Sequence, residues 1–265
     1  EALAEIGGPS AAGFLIGLLT APIAIVVDAV SYLVSAAFLV AIRAPERPAE
    51  PEKDKPTLWR DLVIGFGAGY GNSLLRPLFF AEAVWALFTG FFLALYMIFT
   101  IDTLGLSPEL VGMLIGAGGV GALGGALLAR RAANTFGVGK ALIWLLAAGQ
   151  AASLCIPLAQ GPEWLVVTFL LVHQLAGDGM MVAYFIHSVS LRQRVLPIAI
   201  QARASAMLHI QNGLLLPLGA LIAGPLAQWL DVRTAVWIGV VGGLAAPLAV
   251  ALSPVRRLER MPAES

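Results

Sequence analysis

Three acidic residues stand inside apolar stretches of this sequence and are its first candidates for chemistry: Asp28, Glu82 and Asp178. A charge at the centre of a membrane helix costs about 2.5–3.5 kcal/mol on insertion scales, so a carboxyl group there needs a partner or a task. Removal from water favours the neutral form of a carboxylic acid, which lets such a group bind and release a proton as its surroundings change. We therefore consider proton transfer and polar substrate binding.

Asp178 has the most favourable position of the three. It falls near the middle of the apolar stretch 164–187, and four residues within one turn could assist it: His173, Gln174, Gly177 and Gly179. Gln174 and Asp178 share a helix face at a spacing of four residues. Three polar residues of the next apolar stretch could complete a polar cavity: His209, Gln211 and Asn212. The alternative is that Asp178 hydrogen-bonds internally and only fixes helix packing.

The other two carboxyl groups have simpler interpretations. Glu82 follows Arg76 by six residues, about 9 Å along a helix, so pairing with a cytoplasmic arginine is favoured over a functional role. Asp28 follows Pro22 by six residues, which favours a structural hydrogen bond near the outer end of its helix.

No enzyme constellation is present in the pattern, because paired catalytic carboxylates and a Ser-His-Asp arrangement are both missing. No two of His173, His187 and His209 have the spacing of metal ligands. We expect no enzyme, no metal and no cofactor.

Composition determines what kind of protein carries these residues. Of 265 residues, 59% are hydrophobic and only 12% are charged, against roughly 25% charged in soluble domains. This excludes a soluble enzyme, a nucleic-acid binder and a disordered chain. A membrane-crossing helix needs about 20 apolar residues, and seven complete candidates occur: 21–42, 77–101, 110–129, 141–159, 164–187, 205–230 and 234–252. Ahead of them, 6–19 is apolar but short, like a partial span.

The distribution of positive charge predicts the topology. Lys and Arg accumulate on the cytoplasmic side of membrane proteins, and alternate loops divide the 16 of this chain 15 to 1. The exception is Arg233. The proline-rich linker 44–57 and the C-terminus are therefore predicted to be cytoplasmic, in a multi-pass protein of the inner (plasma) membrane. After the linker, 61–76 is predicted to form a short amphipathic helix on the membrane face.

One glycine pattern imitates a nucleotide site. Residues 116–121 satisfy G-x-G-x-x-G, but that motif requires an acidic residue about 20 positions later, and none occurs between Glu109 and Glu163. The spacings Gly112/Gly116 and Gly121/Gly125 instead predict close helix packing.

Three stretches resemble a known family. The first is Gly8-Pro9 with Gly13, and the second is Asp28-Ala29-Val30-Ser31-Tyr32. The third is a loop motif formed by Arg192, Gln193, Pro197 and Arg203. Pro217-Leu218-Gly219 follows it in the next apolar stretch. Together they resemble the major facilitator superfamily, in the branch of bacterial exporters that includes enterobactin exporters and macrolide efflux proteins.

The resemblance implies an all-α, polytopic membrane helix bundle of the major facilitator type, with seven complete spans plus a partial first one. Residues 1–43 would end an N-terminal half, 44–76 would be a cytoplasmic linker, and 77–265 would form a six-helix C-terminal half. The chain would then be N-terminally truncated, and its missing half would be a partner needed for transport.

The resemblance also implies a function. The expected activity is secondary transport by alternating access, with proton-coupled efflux of a small organic molecule, drug-like or siderophore-like. The implied partners are that substrate, H⁺ and the lipid bilayer, with no nucleic acid. A non-transporting membrane sensor or assembly subunit on the same helices is the alternative.

Overall fold

The computed structural model describes residues 21–41 and 58–262, and the partial span 6–19, the Gly8-Pro9 motif and the linker 44–57 lie outside them. The described residues are helical, without strands, in this order: α1 Ala21–Ala41, α2 Leu58–Tyr70, α3 Arg76–Ile98, α4 Pro108–Phe136, α5 Val138–Ala152, α6 Cys155–Leu158, α7 Glu163–Val172, α8 Asp178–Val195, α9 Ile198–Trp229, α10 Val232–Gly243 and α11 Ala245–Ala251. A π-helical turn, Phe99–Thr103, extends α3, and another, His173–Gly177, joins α7 to α8.

Six segments of the described residues are long and apolar enough to cross a membrane: Arg76–Thr103, Pro108–Phe136, Val138–Leu158, Glu163–Val195, Ile198–Trp229 and Val232–Ala251. They coincide with the last six predicted spans. The first predicted span falls on α1, where Ile25–Ala41 forms a shorter apolar stretch. The all-α polytopic fold class is confirmed.

The helices continue beyond the predicted spans 164–187 and 205–230, so the loop expected over 188–204 shrinks to Leu196 and Pro197. The helix of the predicted span 110–129 likewise continues to Phe136. The predicted spans covered only apolar residues, but helical backbone hydrogen bonds also form between charged residues in water. Therefore α8 continues to Val195 and α9 begins at Ile198. The break comes from Pro197, which disfavours helical backbone at the residue before it. Leu196 is accordingly extended, with φ −102° and ψ 134°.

The amphipathic helix is present as α2, three residues earlier than expected at its start and ending at Tyr70. It packs along α9, where Arg203 forms an ion pair with Asp61 at 2.7 Å. The Tyr70 hydroxyl donates a hydrogen bond to Gln211 Oε1 at 2.5 Å. Burial, with a smaller effect of the Glu82 carboxylate, raises the pKa of Tyr70, so its hydroxyl stays a donor at neutral pH.

On one side of the bundle, α3 packs against α9, α10 and α11. On the other side of the bundle, α8 lies along α4 and α5. Glycines permit the closest approaches: a Cβ at Gly219 would strike the Leu87 carbonyl oxygen, and one at Gly125 would strike that of Gly179. A Cβ at Gly121 would likewise strike the Leu175 carbonyl oxygen, so the predicted packing role is confirmed for the Gly121/Gly125 spacing of α4.

Arg233, the exception to the charge asymmetry, has a structural task. Its guanidinium donates to the carbonyl oxygens of Pro157 at 2.7 Å and Ala159 at 2.9 Å, and lies 5.0 Å from the centre of the Phe99 ring. It therefore satisfies carbonyl groups at the end of α6, where a cation is favoured.

Cysteine labelling tests the predicted topology. In a Cys155→Ala background, we expect Glu50→Cys in the linker to react only with a reagent on the cytoplasmic side, and Gln160→Cys only with one outside. Position 105 also lies outside by sequence, but Gly105 has φ 74°, which strains any other residue. Labelling of both cysteines from one side would overturn the topology.

Candidate functional site

A cavity of about 170 Å³ lies among α3, α5, α10 and the junction of α7 with α8. Its α3 wall carries four aromatic residues that follow one another at helical spacing, here called the aromatic stripe: Trp85, Phe88, Phe92 and Tyr96. The opposite walls contribute the following polar side chains: Gln150, Ser153, His173 and Asp178. The cavity is thus an apolar chamber with a few convergent polar groups, which is the usual composition of a ligand site.

The π-helical turn His173–Gly177 positions the polar side of the cavity. Such turns interrupt the regular hydrogen bonding of a helix and occur frequently at functional sites. His173 contacts the ring of Phe92, with centroids 5.8 Å apart. Its side chain is only 7% exposed, and its Nδ1 atom has no hydrogen-bond partner.

Asp178 follows this turn directly and is half-buried at the cavity wall. Its carboxylate packs against Gly118 of α4, where a Cβ would collide with Oδ2. Gln174, one turn earlier, donates to the Leu114 carbonyl oxygen at 3.3 Å. Gln174 and Asp178 therefore both face α4. Their contacts there, Leu114 and Gly118, are likewise one helical turn apart.

The charges around Asp178 are few. Of the described residues that line the cavity, Asp178 is the only one that is Asp, Glu, Lys or Arg. The Tyr96 hydroxyl lacks a hydrogen-bond partner and belongs to a residue that is 4% exposed. Gln150 donates its amide to the Gly243 carbonyl oxygen at 3.3 Å, which leaves its own oxygen as an acceptor.

Glu82 belongs to a second polar group, nearer the predicted cytoplasmic end of α3. Its partner is Asn212 of α9, whose amide donates to Glu82 Oε1 at 3.3 Å, and Arg192 of α8 lies near enough to interact electrostatically. Among the described residues no ion pair joins Glu82 to Arg76, and the arginine of the predicted cytoplasmic side that lies near Glu82 is Arg192. The reason is that the neighbouring helices offer Glu82 closer polar groups than its own helix does.

The polar residues of α9 do not complete the cavity around Asp178. His209 is exposed, Asn212 binds Glu82, and Gln211 donates to the Phe79 carbonyl oxygen at 3.2 Å. The hypothesis of one joint cavity is therefore wrong, because α9 packs mainly on α3 and hardly on α8.

The remaining candidates have structural positions. Asp28 lies in α1, but its side chain is outside the described part of the structure. In the loop motif, Pro197 directly precedes α9, and the Gln201 amide bridges the carbonyl oxygens of Gln193 and Leu196, both at 2.9 Å. The motif thus builds the turn between α8 and α9.

Sequence reasoning missed the aromatic stripe and Gln150. The stripe had a visible signal, since Trp85, Phe88, Phe92 and Tyr96 recur at spacings of three and four residues. Apolar side chains surround them on every face of α3, so the spacing alone did not single them out. Gln150 gave no pattern signal.

Comparison with known proteins agrees with this architecture. A family model described as Major Facilitator Superfamily matches residues 2–197, about three quarters of the chain. Searches of curated proteins and of solved structures find no match. Because the family match covers well over half of the sequence, the chain belongs to the Major Facilitator Superfamily.

Proposed function

We propose that this secondary transporter exports a small organic molecule across the inner membrane by alternating access, in exchange for protons. The observation that carries the proposal is a carboxyl group, Asp178, at a cavity wall inside the membrane-spanning bundle. No permanent positive charge among the described lining residues neutralises it. Such a group holds a proton when water is excluded and releases it when water or a cation arrives.

The groups that face Asp178 support this role. Gly118 of α4 touches its carboxylate, and Tyr96 of α3, Gln150 of α5 and His173 of the π turn line the same cavity. None of them is Lys, Arg, Asp or Glu. An antiporter needs two states whose proton affinities differ, with the substrate favouring the deprotonated one. In such surroundings, the access of water or substrate determines whether Asp178 is charged.

Glu82 is the alternative coupling residue. It stands about 9 Å along α3 from Arg76, with Asn212 and Arg192 close by. A carboxylate with a fixed amide donor and a nearby guanidinium suits a structural ion better than a proton carrier. We therefore assign the coupling proton to Asp178.

The substrate expected from sequence is drug-like or siderophore-like. The described cavity of about 170 Å³ is smaller than the 300–1,000 Å³ typical of drug pockets. It therefore accommodates either one ring of such a molecule or a smaller molecule entirely. A wider site would require the second half of the transporter.

Proton exchange can be measured in everted membrane vesicles that contain the intact transporter and have an acidified lumen. The probes are tetraphenylphosphonium, chloramphenicol and 2,3-dihydroxybenzoate, which at neutral pH are a cation, a neutral molecule and an anion. We expect at least one of them to accumulate in the lumen while protons leave, seen as dequenching of a pH-sensitive acridine dye. Accumulation that is unchanged after a protonophore collapses the gradient would contradict proton coupling.

A further inference from the structure

We propose that the cavity binds small organic ammonium ions, with Asp178 as the counter-charge and the aromatic stripe as the wall that receives the cation. This inference deepens the proposed function, on which it rests, by giving the charge and size of the substrate. It is carried by four features of the cavity: its aromatic faces, its hydrogen-bond acceptors, its charge and its volume.

The aromatic stripe presents ring faces that neighbouring side chains hold in place. The Trp85 ring packs edge-on against Phe185, with centroids 5.2 Å apart, and the Phe92 ring lies 4.4 Å from that of Tyr96. A cation over the face of an aromatic ring is attracted by the ring quadrupole, most strongly by tryptophan. Rings that are already fixed lose little freedom when the ligand binds.

The polar atoms of the cavity match the donors of an ammonium group. His173 Nδ1 and the Tyr96 hydroxyl have no hydrogen-bond partner among the described residues, although both residues are more than nine-tenths buried. A buried polar atom without a partner is costly, so a ligand that supplies the partner binds with advantage. An ammonium ion offers up to three N–H donors, and His173, Tyr96, Gln150 and Asp178 all provide acceptors.

The charge of the cavity excludes the opposite class of ligand. An organic anion would lie beside the Asp178 carboxylate with no Lys or Arg among the described lining residues to pair with. Burying an unpaired charge is strongly unfavourable. The cavity therefore favours cations over neutral molecules of the same shape, and neutral molecules over anions.

The volume limits the size of the ligand. The cavity of about 170 Å³ is close to an engineered cavity of about 150 Å³ that admits benzene. It accommodates one aromatic ring with a short amine-bearing arm. Benzylamine, which is protonated at neutral pH, is the simplest probe of this class.

Binding to the 265-residue chain in lipid nanodiscs, measured by titration calorimetry at pH 7, tests the inference with three probes of one shape. We expect saturable binding of benzylamine, with benzyl alcohol at least about tenfold weaker because it lacks the charge-assisted hydrogen bond. Benzoate should show no saturable binding.

Two variants locate the site. Asp178→Asn keeps the side-chain volume and should weaken benzylamine binding by about tenfold or more, since the ion pair is lost. Trp85→Leu should weaken it by about fivefold through loss of the ring face. Glu163→Gln, which removes an exposed carboxylate at the start of α7, is the matched control and should bind normally. Helical circular dichroism and gel filtration confirm that each variant is folded.

Several outcomes would overturn the inference: no saturable benzylamine binding, equal binding of benzyl alcohol, preferred binding of benzoate, or normal affinity in both folded cavity variants. These outcomes are separable from failure of the proposed function. If benzylamine binds but no proton is released, the ammonium site is supported and the proposal of proton-coupled export is contradicted. If only the neutral or the anionic vesicle probe accumulates in exchange for protons, and benzylamine does not bind, proton-coupled export is supported and the ammonium site is contradicted.

Discussion

Replacing Asp178 with asparagine in the intact transporter is expected to reduce uphill, proton-driven accumulation in vesicles to background. Asparagine has nearly the same shape and still fits against Gly118, so the bundle should fold. It cannot bind and release a proton, so the proton gradient no longer biases the two facing states. Substrate exchange down its own gradient needs no proton and should continue at concentrations high enough to compensate for weaker binding.

The measurement compares radiolabelled substrate accumulation at several imposed pH gradients with counterflow at no gradient. Glu163→Gln is the control, because its carboxylate is exposed and Glu163 is not among the residues that line the cavity. If Asp178→Asn accumulates substrate at the normal rate and with the normal pH dependence, Asp178 is a packing residue. Glu82 would then become the candidate for the coupling proton.

A second large effect is expected from a single methyl group between α4 and α8. A Cβ at Gly125 would fall on the carbonyl oxygen of Gly179, whereas a Cβ at the adjacent Gly124 meets nothing within 4 Å. Gly125→Ala must therefore push the two helices apart, at a cost of about 1–3 kcal/mol in the free energy of unfolding. Gly124→Ala should be neutral or slightly stabilising, since alanine favours helix by up to about 1 kcal/mol over glycine.

Thermal unfolding of both variants in detergent, followed by circular dichroism, measures the difference. The two substitutions add the same atom to neighbouring positions of one helix, so hydrophobicity and helix propensity cancel in the comparison. Equal melting temperatures would contradict the close approach of α4 and α8. Because Gly179 follows Asp178 directly, Gly125→Ala should also displace the carboxyl group and weaken benzylamine binding.

The spans were predictable because each consists of about 20 apolar residues, a signal that needs no knowledge of neighbours. Their ends were less predictable, since helical hydrogen bonds continue past the apolar region until a specific residue stops them, as Pro197 does. No sequence pattern indicated the π-helical turns at Phe99–Thr103 and His173–Gly177. They add one residue to a turn without changing the composition.

From the sequence, only those residues of the candidate site that belong to one predicted span could be grouped together. The spacing of Gln174 and Asp178 is a local property, and the structure places both toward α4. Which other spans contribute to the cavity is a tertiary property, and adjacency in sequence was misleading. The next span in sequence, α9, gives Asn212 to Glu82, while α3, α5 and α10 form the walls around Asp178.

The length of α9 has a mechanical consequence. Its 32 residues extend about 48 Å, well beyond a hydrocarbon core of about 30 Å. At its first turns, the Arg203–Asp61 ion pair joins it to α2, and a Cβ at Gly65 would strike the Arg203 carbonyl oxygen. Because this end of α9 is attached so tightly, a displacement of α2 would also displace the first turns of α9. Pro217 and Pro225 lie inside the helix, and each removes one helical hydrogen bond, so the helix can bend there and the displacement of its predicted cytoplasmic end need not extend along its whole length.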